Sequence, residues 1–195
     1  ARAKLGEIVS ALIPQGSVKD ISQVKLGIER YDYGNVWITA ATNWGNVKDI
    51  DAFMKGYDQE AVGFMKLLDQ SGFVSGETKV VKYIDPITGK QFMKFDVGFD
   101  LTNPEAAMER FDDFVNVFFT MLDQNGRPIL DKNDNPLIDE KAKANFLNNI
   151  DIKAYMKVLA EIGITSFSLT VTVSDDGTRT IGGVIDFKEL VGKTF

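Results

Sequence analysis

The spacing of apolar residues along this chain changes several times, from every second position to every third or fourth and back. From Ser166 the run S-F-S-L-T-V-T-V alternates strictly, placing Phe167, Leu169, Val171 and Val173 on one face of a strand. It pairs through the turn S-D-D-G-T with a second strand over Thr178–Phe187. Two more hairpins read the same way. Val24–Tyr31 joins Asn35–Thr42 through D-Y-G-N, where Gly34 can adopt the positive φ of a tight turn. Thr78–Ile84 joins Gln91–Leu101 through D-P-I-T-G-K, with Pro86 presetting φ and Gly89 offering a left-handed position.

Helical spacing fills the intervals. Asn103 is an N-cap followed by Pro104 in the first turn, and Ala107, Met108, Phe111, Phe114, Val115, Phe118 and Leu122 recur beyond it. After Asp49, the residues Ile50, Phe53, Met54, Tyr57, Ala61, Phe64, Met65 and Leu68 predict one helix, weakened at Gly56 and Gly63. A third helix is expected from Asp139 to Asn148. A fourth is capped by Asp151, carries Tyr155, Val158, Leu159 and Ile162, and stops at Gly163. Strands that come as hairpins imply a mainly antiparallel sheet. The expected class is therefore α+β: three β-hairpins, about four helices and a projecting β-arm, within a single domain over 1–195.

The arm is the stretch D-Q-N-G-R-P-I-L-D-K-N-D-N-P-L-I-D, Asp123 to Asp139. The frame D-x-N-x-x-P-[I/L]-[I/L]-D occurs in it twice and shares Asp131. N-G and N-D are turn dipeptides, and each proline that follows is unsuited to a central strand. This reads as two short extended pieces separated by turns. The apolar pairs Ile129-Leu130 and Leu137-Ile138 need a partner surface, on this domain or on another subunit, and are the expected contacts of an interaction arm. The segment is also rich in oxygen ligands, which raises calcium. The EF-hand template fails: counted from Asp131, its glycine position holds Pro136 and its final glutamate position holds Ala142.

Composition narrows the chemistry. The chain has no cysteine and no histidine, which removes disulfides, thiolate nucleophiles, Ser-His and Cys-His pairs and the usual zinc, copper and haem ligands. A net charge of −6 argues against duplex DNA and anionic membranes. The longest strongly apolar run, Phe114 to Leu122, is too short to span a bilayer. The N-terminal segment lacks the pattern of a signal peptide, so a cytoplasmic or virion location is expected. V-G-K-T near the C-terminus lacks the rest of a phosphate-binding loop, and no acid/base carboxylate pair stands out.

Two aromatic patterns remain. An aromatic-Met-Lys triplet appears at Phe53, Phe64, Phe92 and Tyr155; aromatics beside cations could stack on single-stranded nucleic acid, but helical and strand spacing place them more simply in a core. Y-D-Y-G-N-V-W-I-T-A-A-T-N-W contains Tyr31, Tyr33, Trp37 and Trp44, a candidate aromatic interface or a set of core anchors. The expectation is a non-enzymatic structural or assembly protein, of the kind found in bacteriophage virions or tails, acting on other copies of itself or on other protein subunits. No metal, cofactor or membrane is expected. A single-stranded nucleic-acid-binding protein is the alternative, with Lys79, Lys82, Lys90 and Lys94 in one hairpin; a carbohydrate or small-ligand domain is a further one.

Overall fold

The computed structural model describes residues 2–31 and 34–183. Among them six strands form one sheet in chain order, every neighbour antiparallel: β1 (Lys25–Tyr31), β2 (Asn35–Asn43), β3 (Lys79–Ile84), β4 (Gln91–Asp100), β5 (Ser166–Ser174) and β6 (Arg179–Gly183). Residues 184–187, expected to extend the last strand, lie outside the described residues.

Alternation sorts the sheet into two faces. On one face lie Val80 and Ile84 of β3, Met93, Phe95, Val97 and Phe99 of β4, and Phe167, Leu169, Val171 and Val173 of β5, all buried. The described helices share a single hydrophobic core with this face. The other face carries Trp37, Thr39, Tyr83, Phe92, Lys94 and a Ser/Thr ladder along β5.

Among the described residues there are six helices, in place of the roughly four expected: α1 (Arg2–Leu12), α2 (Ile50–Phe53), α3 (Gln59–Gln70), α4 (Pro104–Phe118), α5 (Glu140–Asn149) and α6 (Ile152–Glu161). Side-chain caps start several of them: Asp49, Asn103, Asp139 and Asp151 each accept the N–H three residues on. The surplus has two sources. The opening segment forms α1, which buries Leu12. The helix expected from Ile50 to Leu68 is broken: Gly56 takes φ +94°, a left-handed turn that ends α2 and lets α3 start afresh. Phe53, Met54, Tyr57, Phe64 and Met65 are buried all the same, because the broken segment still turns its apolar residues inward.

Candidate functional site

The segment after α4, expected as a projecting β-arm of two extended pieces, is built around two tight loops. Asp123 and Asp131 each open a tight loop, and each directs Oδ1 at two backbone N–H groups of that loop. Asp123 accepts from Asn125 at 2.8 Å and Arg127 at 2.9 Å; Asp131 accepts from Asn133 at 2.7 Å and Asn135 at 3.0 Å. The position three residues after each Asp is left-handed, filled by Gly126 at φ +74° and Asp134 at φ +63°. Asp, Asn and Gly are the residues such loops demand. Accepting the Asn135 and Asn133 N–H groups holds the Asp131 carboxyl below its ordinary range.

The two repeats are joined by a third limb that lacks their motif. Met121 N–H donates to the Leu137 carbonyl at 2.8 Å, Leu137 N–H to Ile129 at 2.8 Å, and Ile129 N–H back to Met121 at 2.9 Å, closing a triangle. A second triad repeats the relation at 2.8 Å each: Asp123 N–H to Arg127 O, Asp131 N–H to Asn135 O, and Asp139 N–H to Phe119 O. Isolated bridges follow the same rule, Leu122 with Pro128, Leu130 with Pro136, and Ile138 with Thr120. The segment 119–139 is thus a closed boss of three limbs related by a pseudo-threefold, and Asp139 continues from it as the cap of α5.

The boss is seated by glycines. A Cβ on Gly63, in the middle of α3, would strike the backbone of Gly126, and a Cβ on Gly126 would strike the Gln59 carbonyl. The helix that Gly63 weakens is therefore the one the first loop rests on. Of the four apolar residues expected at the arm, Leu130 and Leu137 are exposed, at 50% and 38%, while Ile129 and Ile138 are half-buried. Met121, 41% exposed, belongs with them and was not singled out by the sequence, because it follows a helix and carries no Pro or Asn signal. Alternation along each limb puts Met121, Ile129 and Leu137 on one side of the boss.

The aromatic residues separate. Trp44 is buried, edge-on to Phe53, and its Nε1 donates to Asp69 at 2.7 Å, so it is a core anchor. Trp37 lies on the opposite face of the sheet, edge-on to Phe92 with ring centres 4.9 Å apart. Phe92 stacks on Tyr83 at 4.4 Å, and the Lys94 ammonium sits over both rings. Tyr31 ends β1, and Tyr33 lies outside the described residues.

Two cations, Lys82 buried and Arg179 half-buried, complete the picture. Lys82 is fully buried on the helix-covered face; its Nζ donates to the Phe53 carbonyl and lies 4.5 Å from the centre of the Phe53 ring. Loss of solvent pushes its ammonium down to about 7. Nearby Tyr57 has a buried hydroxyl without a hydrogen-bond partner among the described residues, and burial followed by the Asp175 charge pushes its phenol up. Arg179 stacks 4.9 Å from the Phe64 ring centre and pairs with Glu60 at 3.4 Å, lining an open groove of about 490 Å³ beside the boss. Among the described residues no three carboxylates gather as metal ligands, and no helix is long and apolar enough to cross a membrane. Compared with protein-family models, curated proteins and solved structures, the chain matches none of them.

Proposed function

We propose that this chain is a non-enzymatic structural or assembly protein working through protein–protein contacts, with the boss over 119–139 as its docking element. A subunit of a virion or tail is the setting this reading suits best. The carrying observation is the closed triangle of backbone hydrogen bonds among Met121, Ile129 and Leu137. It holds exposed apolar side chains on a preformed scaffold, and a preordered element loses little conformational entropy on docking. The absence of cysteine and histidine from the whole sequence fits a role without nucleophilic catalysis.

The test replaces Leu130 and Leu137, the exposed two of the four apolar residues expected at the arm, with serine. Solution mass, or binding to a partner subunit, should fall away while the thermal midpoint stays near that of the parent. A variant that melts much lower with its mass unaltered would show that these residues only brace their own domain.

A second reading rests on the Trp37–Phe92–Tyr83 cluster with Lys94, since aromatics beside a cation are the groups that stack on a single strand of nucleic acid. It is the weaker one. Lys82, counted by sequence among the basic residues of that hairpin, is turned into the core. Phe92 and Tyr83 also stack on each other rather than presenting two separate platforms. Quenching of Trp37 emission by a single-stranded oligonucleotide, lost on Lys94→Glu, would favour it.

A further inference from the structure

Strand β1 gives no side chain to the buried core. Its Leu26 and Ile28 nevertheless pair with Ala40 and Ile38, so they lie on the face that helices cover over β3, β4 and β5. Here nothing among the described residues covers them: Leu26 is 55% exposed, Ile28 72%, and neighbouring Val36 38%. Among the described residues β1 is also an edge of the sheet, with one row of backbone groups unpaired by any strand.

We infer that the β1 edges of two copies pair antiparallel about a two-fold axis at Gly27, joining two sheets into one. This deepens the assembly reading and rests on it, through a surface separate from the boss. The register follows from the residues K-L-G-I-E. With Gly27 opposite Gly27, Leu26 faces Ile28 of the second copy and Ile28 faces its Leu26. On the other face Lys25 meets Glu29, and Glu29 meets Lys25. Shifting the centre to Ile28 would oppose Leu26 with Arg30 and undo the charge match. Gly27 suits the axis for a further reason: a side chain there would already crowd Thr39 Oγ1, 3.0 Å from the Cβ position. Such pairing is isologous, so it consumes the edge and closes at two copies rather than growing a fibre.

The full chain is tested by sedimentation over a wide concentration range, with thermal melts to confirm folding. Lys25→Glu and Glu29→Lys should each weaken dimerisation roughly tenfold, since each turns two attractive cross-strand pairs into two repulsive ones. The double variant K25E/E29K should restore the parent dissociation constant. Leu26→Ser with Ile28→Ser should raise it by about a hundredfold or more. A parent chain that stays monomeric, single reversals without effect, or a double variant as weak as the singles would each overturn the β1 pairing. Serines at Leu130 and Leu137 separate the two ideas. If they alone abolish association while the β1 variants do nothing, the pairing fails and the assembly reading stands; if β1 variants abolish it and the boss variant does nothing, the pairing stands without the boss.

Discussion

Lys82 occupies a position where a strand of this kind carries valine or isoleucine, between Val80 and Ile84 on the covered face. Among the described residues its ammonium has one hydrogen-bond acceptor, the Phe53 carbonyl, and the Phe53 and Tyr57 rings as its electrostatic company. That is less than water supplies, so the folded pKa falls to about 7 from an ordinary 10.5. Between those values the unfolded chain holds a proton that the folded chain has released. Stability from this group therefore climbs as pH rises through that window, and the full penalty is present below it. Lys82→Met should stabilise the protein at about pH 6 by an amount on the order of a few kcal/mol, shrinking towards about pH 10. Urea midpoints across that range check it; a pH-independent difference would contradict the burial account. Gly63 makes a second residue-scale case. In an exposed helix Gly→Ala gains about 1 kcal/mol, but here the new Cβ meets the Gly126 backbone. Gly63→Ala should lower the thermal midpoint in spite of its better propensity.

The boss shows what an element reveals and conceals in its sequence. Both Asx loops were legible, since Asp123-x-Asn125 and Asp131-x-Asn133 are turn chemistry written in residue type, and the repeat marked them as one design. The closure was not. Phe119, Thr120 and Met121 enter it through backbone groups, which any residue could offer, and their apolar pattern reads as the end of α4. For the same reason the segment reads as a projecting arm of two extended pieces, when it has three limbs, each bonded to the other two. Asp131→Ala should release the Asn133 and Asn135 amides to rapid hydrogen exchange and leave the sheet amides protected. Because the Asp131 carboxyl sits below its usual range, its contribution is present above the ordinary carboxylate pKa and is lost as pH falls through the depressed one. Those two amides should thus lose protection in strong acid before the rest of the segment.

At the scale of the molecule the core runs beneath β2 to β5, with Ile181 of β6 packed against it and no side chain from β1. The three hairpins were readable because each has its own turn chemistry and alternating strand. The joining of β2 to β3 and β4 to β5 was not, since those pairings span helices and depend on which strand edges meet. Nor could alternation show that the apolar face of β1 lies beyond the helices. Hydrogen exchange should rank the strands accordingly, slowest in β4 and fastest in β1, with β1 slowing as protein concentration rises. A β1 protected as well as β4 in dilute solution would refute that order.

The Phe119 carbonyl and the Asp139 amide meet at 2.8 Å, so the chain leaves the boss where it entered. That is the topology of an insertion: everything between those points hangs from a single doorway and is strung through no other part of the fold. A bridge of about two residues spans the gap, given the 3.8 Å step between successive Cα atoms. The sheet and its helices should therefore survive excision of 120–138, and the excised unit should be transferable to another scaffold with a helix leaving on one side and a helix beginning on the other.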